Sequence, residues 1–344
     1  METATISERK QRILAAMIDA YVATGEPVGS KWLADALGNA VSSATIRNEM
    51  AELSAAGLLA QPHTSAGRVP TATAFRLYID RLMPHRPLTL EQKREIDRVL
   101  LSAGSDPDRL VRVTADMLAA MTGCAAVSTS PSEQGATVRR LEVMYISPRM
   151  AAVVLMTASG VIRSRLCSFD RPVSAAVLHE TAAALEAGFG GRPLSDITLP
   201  AVQGMVLSFG EEGLCRMPIL TALLELASEA TATEVTLKGQ LNLLQYPDYS
   251  AERALGLLGF LSHSELLTAI LTPPADGVQV LLGSESVYPE LDGSGVITAH
   301  YRGGNGGEGA LAVIGPQRMN YAVTIPRMDY LASALSRLLG RLAQ

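Results

Sequence analysis

From residue 8 to about 23, apolar side chains recur at helical spacing, with Leu14, Ile18 and Tyr21 at i, i+4 and i+7 and Ile13 and Met17 alongside. Ser7 stands where an N-cap would, and Gly25 where the helix would stop. After the turn Glu26-Pro27-Val28-Gly29, Ser30 is expected to cap a short helix over 31–37, closed by Gly38 and Asn39. Ser42-Ser43 then caps a third helix over 44–56, whose inward face carries Ile46, Met50 and Leu53, and Gly57 ends it. Leu58-Leu59-Ala60 reads as a strand, residues 61–70 as a hairpin tip, and 72–83 as a further helix carrying Phe75, Leu77, Tyr78, Ile79 and Leu82. This order is a helix-turn-helix followed by a wing.

The rest of the chain changes period several times. Two helical stretches occupy 88–122, the second marked by Leu110, Val113, Met117, Leu118 and Met121, and a buried strand follows over 124–130. Beyond the breaker at 131–135, strands over 138–146, 150–157 and 161–168 come in close order, as in an antiparallel meander. Alanine-rich helix runs to 186, with more over 219–230, a strand over 233–238 and one helix over 252–271. Strands over 278–282, 295–301 and 309–315 precede a closing helix starting at Pro326, with Leu331, Leu335, Leu338, Leu339 and Leu342 on its face. The expected class is α+β multidomain: a winged helix-turn-helix over 1–87, an α/β domain from 88–134 and 231–344, and an inserted α+β unit over 136–230 with a three-stranded antiparallel sheet.

Composition narrows the function. Hydrophobic residues make up 48% and charged residues 18%, which excludes a disordered chain, and the longest apolar run, over 151–162, is interrupted by Thr157, Ser159 and Gly160 and so predicts no membrane span. The polar start METATISERKQR predicts no secretory leader and a cytoplasmic protein. Cys124, Cys167 and Cys215 lack metal or redox spacing and read as reduced thiols. The net charge of −5 is uneven: residues 1–87 hold nine Lys and Arg against eight Asp and Glu, and the remainder 20 against 26. A single head would therefore grip nucleic acid weakly, and two heads or strong local contacts are needed.

The third helix supplies such contacts. Opposite its apolar face it presents Ala44, Arg47, Asn48 and Ala51, small residues that admit close approach to a major groove beside an Asn suited to adenine and an Arg suited to guanine or phosphate. Lys31, Ser43 and Thr45 complete that surface, and the wing offers Gln61, His63, Thr64, Ser65 and Arg68 for phosphate or minor-groove contacts. His63 has no second His or Cys at ligand spacing, so no metal is expected. Residues 25–31 have the wrong order and spacing for a phosphate loop, and the glycine-rich 303–309 stretch reads as a strand connection. No catalytic set emerges, and neither an enzyme nor a cofactor is expected. Gly315, Pro316, Arg318, Met319 and Tyr321 form a block that is either a subunit or ligand contact or a tight turn with a structural Arg.

Three blocks, Glu26-Pro-Val-Gly-Ser-Lys31, Ser43-Ala-Thr-Ile-Arg-Asn-Glu-Met50 and Gln61-Pro-His-Thr-Ser-Ala-Gly-Arg-Val-Pro-Thr71, carry a resemblance to the HrcA family of bacterial heat-inducible transcription repressors. It continues in Leu237-Lys-Gly-Gln, Asn242-Leu-Leu, Tyr246-Pro-Asp and Val313-Ile-Gly-Pro-Gln-Arg-Met-Asn-Tyr321, with departures at Ala74, Gln317 and Val323. The resemblance implies that the α/β domain is GAF-like, that the insert dimerises, and that the homodimer binds the CIRCE inverted-repeat operator ahead of chaperone genes. It also implies control by the chaperonin GroEL. The alternative is a regulator that senses a small molecule in its GAF-like domain.

Overall fold

The computed structural model describes residues 6–342 apart from 39–40, 64–65, 85, 105, 132–134, 159, 272–276 and 305–306. The chain divides into two units, one of Met1–Thr129, Val235–Tyr301 and Ala310–Leu335, the other of Ser130–Glu234, Arg302–Gly309 and Ser336–Gln344.

In the first unit the chain opens with α1 (Glu8–Thr24), α2 (Ser30–Ala36) and α3 (Ser43–Ala55). Ser7 and Ser42 accept from the Lys10 and Thr45 amides and so cap α1 and α3, while Gly25, at φ +74°, closes α1 in a left-handed conformation. The cap expected at Ser30 is instead Gly29: Gly29 is extended and Ser30 is the first helical residue. Two short strands, β1 (Leu59–Ala60) and β2 (Val69–Pro70), pair antiparallel as the wing. The helix expected over 72–83 changes character midway, with α4 (Ala72–Leu77) passing into a π-helical turn over Tyr78–Leu82 that ends when the Met83 amide bonds the Tyr78 carbonyl at 2.8 Å. Ile13, Leu14, Met17 and Ile18 of α1, Leu33 of α2, Ile46 and Leu53 of α3, and Phe75 are all essentially removed from solvent. Each contributes roughly 1.5–3 kcal/mol of hydrophobic burial.

The same unit continues through α5 (Leu90–Ser102) and α6 (Pro107–Thr122) into a five-stranded sheet. Its strands are β3 (Ala125–Thr129), β7 (Val235–Lys238), β8 (Val278–Leu282), β9 (Ser294–Arg302) and β10 (Glu308–Pro316), ordered β7-β3-β10-β9-β8. Alternation decides the two faces: Ala125, Val127, Ala310, Ala312 and Ile314 join Leu257, Phe260, Leu267 and Leu271 in one core, while Ser128 turns the other way to donate to the Val111 carbonyl of α6 at 3.0 Å. Sheet and helices together form the expected α/β arrangement. The single helix expected over 252–271 is two, α10 (Ala251–Leu261) and α11 (Ser264–Leu271), bent by 83°. At the break the Ser262 hydroxyl bonds back to the Gly259 carbonyl at 2.7 Å while its amide closes α10. The last helix, α12 (Tyr321–Leu342), starts five residues before Pro326, because the Asn320 carbonyl already accepts from the Val323 and Thr324 amides. Pro326 lies inside the helix and removes one of its hydrogen bonds instead of starting it.

The second unit holds the expected meander, β4 (Val138–Ser147), β5 (Met150–Thr157) and β6 (Ile162–Ser168), paired in that order. With α7 (Ala175–Phe189), α8 (Leu199–Ser208) and α9 (Gly213–Thr231) it encloses a core that includes Leu141, Val153, Leu155, Leu178, Leu185, Ile219 and Leu223. Arg165 of β6 crosses to Glu225 and Glu229, one turn apart on α9, and fixes helix to sheet. Among the described residues no single helix is long and apolar enough to cross a membrane. Cys124 and Cys167 are buried, Cys215 is exposed, and all three are free.

Candidate nucleic-acid interface

The orientation of α3 is set by its inward face and by ion pairs from α1. Ile46, Met50 and Leu53 are buried, as their spacing predicts. Glu49 is buried with them, a feature the apolar spacing alone misses, because Arg9 Nε donates to its carboxylate at 2.7 Å. One turn further on, Lys10 binds Glu52 at 2.6 Å. Hydrogen bonding between these two raises the Lys10 pKa and lowers that of Glu52. With that face committed, Ala44, Arg47, Asn48 and Ala51 are exposed together, and Ser43 and Thr45 are half-buried at the N-terminal end of the helix. Neither Arg47 nor Asn48 makes an ion pair or side-chain hydrogen bond to another described residue, and Lys31 is exposed on α2.

The wing is tied down from the opposite side. Val28, in the turn between α1 and α2, forms an isolated bridge with Arg68, its amide donating to the Arg68 carbonyl at 2.9 Å and its carbonyl accepting from the Arg68 amide at 3.0 Å. The approach is close enough that a Cβ on Gly67 would lie 2.5 Å from the Val28 carbonyl oxygen, which is why glycine occupies that position. The Arg68 guanidinium is bonded to Gln61 across the hairpin, and Gln61 and His63 are exposed at the tip. Thr64 and Ser65, also expected in the wing's contact surface, lie outside the described residues. Thr71 joins the wing to α4, accepting from the Ala74 amide and donating to the Gly57 carbonyl at 2.8 Å. Ala74 is fully buried beside it.

Contacts invisible to the sequence place this head against the five-stranded sheet and the loops that follow it. Arg76 of α4 donates to the Val280 carbonyl at 2.8 Å and pairs with Glu285, whose carboxyl it holds below the usual range. Phe75 meets Tyr321 edge-on at 6.2 Å between ring centroids. In the 315–321 block, Arg318 donates to Asp248 at 2.8 and 3.0 Å and to the Val22 carbonyl at 3.4 Å, with its guanidinium packed against Gly25. Gly315, Pro316, Met319 and Tyr321 are buried. Within the chain the block is thus a turn in which Arg318 ties Asp248 to the end of α1. Its members Pro316, Arg318, Met319 and Tyr321 do line a cavity, together with Asp19 and Tyr78 of the head. No periodicity or motif points to residues brought together from positions 19, 78 and 318.

Residues 5–81 match the model of the winged helix-turn-helix transcription repressor, HrcA DNA-binding domain, and residues 108–325 match that of the HrcA protein C-terminal domain. The chain belongs to the HrcA family. The heat-inducible transcription repressor HrcA of Acetivibrio thermocellus is 30% identical over 98% of this chain and 97% of its own length. That of Laribacter hongkongensis is 34% identical over 97% and 96%, and that of Geobacter sulfurreducens 32% identical over 97% and 98%. A crystal structure of a hypothetical protein shares the fold, with a TM-score of 0.67 over 98% of this chain and 100% of that one at 20% identity. As an HrcA family member the chain is a heat-inducible transcription repressor with a winged-helix DNA-binding domain, in a family that is not enzymatic.

Proposed function

We propose that this HrcA family member acts as a homodimer on the CIRCE inverted repeat, with two α3 helices entering successive major grooves. The observation that carries the reading is the exposed, uncommitted Arg47 and Asn48 pair between small alanines, on a helix held rigid by Arg9 and Lys10. In this reading Lys31, Ser43, Thr45, Gln61, His63, Thr64, Ser65 and Arg68 contact phosphates and position the head, while Ala44, Arg47 and Asn48 face base edges. The inserted unit joins the two copies. Its support is the outer face of the meander, where Met144, Ala152 and Leu166 form one row across the sheet and Met156 and Ile162 pair in another. Met144, Ile162 and Leu166 are each more than half exposed, an apolar patch of the kind that marks an association surface. A two-fold axis through it matches the dyad of the operator.

In the same proposal GroEL keeps the repressor competent, and heat diverts the chaperonin to other clients. A mean hydropathy of +0.20 fits a chain that is prone to associate when partly unfolded. Two experiments separate these parts. Insertion of five base pairs between operator half-sites turns one half-site to the opposite side of the duplex and is expected to abolish tight binding; retention would refute the paired-helix geometry. Heating the protein with and without chaperonin should give loss of operator binding that chaperonin prevents; identical binding in both would refute the control scheme.

A further inference from the structure

A cavity of about 480 Å³ opens among the C-terminal half of α1, the π-helical turn and the start of α12, within the size range of small-molecule sites. Arg86, Arg318 and Arg327 line it against a single carboxylate, Asp19. Asp19 already accepts the Tyr78 hydroxyl at 2.6 Å, and Arg318 is committed to Asp248. The other two cations are not neutralised. Arg86 is exposed and makes no ion pair with a described residue. Arg327 donates from one terminal nitrogen to the Met121 carbonyl at 3.0 Å, but its Nε is buried without a hydrogen-bond partner among the described residues. What carries the site is the cluster itself, three guanidinium groups on one cavity against one carboxylate that is already hydrogen-bonded. The first turn of α12 forms part of the same wall and adds the positive end of its dipole.

We infer that this cavity binds a small oxyanion, a phosphate monoester or a dicarboxylate, through Arg327 and Arg86. Guanidinium forks match both chemistries, and the surplus of positive charge disfavours a neutral or cationic occupant. The walls come from the head through Asp19 and Tyr78 and from the C-terminal region through Arg318 and Arg327, so an occupant contacts both sides of the junction and stabilises their present arrangement. The site needs no assumption about DNA; only its effect on operator affinity rests on the proposed repressor mechanism.

The test titrates the full chain at fixed ionic strength with inorganic phosphate and, separately, with succinate, followed by calorimetry. One probe should bind saturably at one per chain, and its identity decides between phosphate and carboxylate ligands. Arg327→Gln should weaken that binding at least tenfold, the exposed Arg86→Gln at least threefold with an unchanged melting temperature, and Arg98→Gln on α5 not at all. Saturable binding by neither probe, or equal binding in the wild type and both cavity variants, would overturn the site. In the second step, saturating probe should change operator Kd at least threefold in the wild type and leave Arg86→Gln unaffected. A bound probe with unchanged operator Kd would overturn the coupling, whereas absence of operator binding with or without probe would count against the repressor mechanism and leave the site standing.

Discussion

Gly67→Ala tests whether the wing is held by the turn that follows α1. The new Cβ would lie 2.5 Å from the Val28 oxygen and 2.6 Å from its carbon, both backbone atoms with no rotamer to escape into. Ordinary contact requires a retreat on the order of 1 Å. That retreat breaks the reciprocal bonds of 2.9 and 3.0 Å between Val28 and Arg68. Two hydrogen bonds at about 0.5–1.5 kcal/mol each make the expected loss of stability about 1–3 kcal/mol. Urea unfolding measures the loss, and hydrogen exchange at the Val28 and Arg68 amides shows whether it arises at the bridge. Affinity for operator and scrambled DNA should fall together, because the wing positions the head without reading sequence. Wild-type stability with both amides still protected would refute the argument.

Arg47→Ala and Asn48→Ala should each cost about 1–3 kcal/mol of operator binding and relax sequence preference, measured as the ratio of operator to scrambled affinity. Arg68→Ala should weaken all sequences alike and flatten the dependence on salt. Leu166→Asp, on the outer face of the meander, should give monomers in light scattering and lose tight operator binding while retaining its circular dichroism. Glu285 is held below the usual carboxylate range by its bond to Arg76, so its contribution to stability is present at neutral pH and is lost as pH falls through that lowered value. The melting-temperature gap between wild type and Glu285→Gln should therefore be widest near neutral pH and close on acidification, and it should be small, since both side chains of the pair are partly exposed.

The head was legible because each of its features is local. Ser7, Gly25, Ser42 and Gly57 punctuate helices whose apolar residues keep a 3.6-residue period, and in β5 strict alternation buries Ala151, Val153, Leu155 and Thr157. Two features escaped the pattern because tertiary contacts override it. Tyr78 closes a π-helical turn with its hydroxyl on Asp19, 59 residues away, and Glu49 is buried on an apolar face because Arg9 reaches it from another helix. Pro326 resembles a helix start, yet Asn320 starts the helix upstream. Of the junction cavity the sequence signalled one part, the 315–321 block, whereas Asp19, Arg86 and Arg327 belong to no common motif and only the folded chain brings them to it.

In the proposed mechanism the Arg47 and Asn48 face of α3 reads an inverted repeat. It is tested most directly by fluorescence-anisotropy titration of the full chain against labelled CIRCE duplex and a scrambled duplex at two salt concentrations, with Arg47→Ala in parallel. Trp32, the single tryptophan and half-exposed on α2, provides a second signal from the head. Wild-type protein should bind the inverted repeat as two chains per duplex and far more tightly than the scrambled one, and Arg47→Ala should lose most of that difference. Equal affinity for both duplexes, unchanged by Arg47→Ala, would contradict the account.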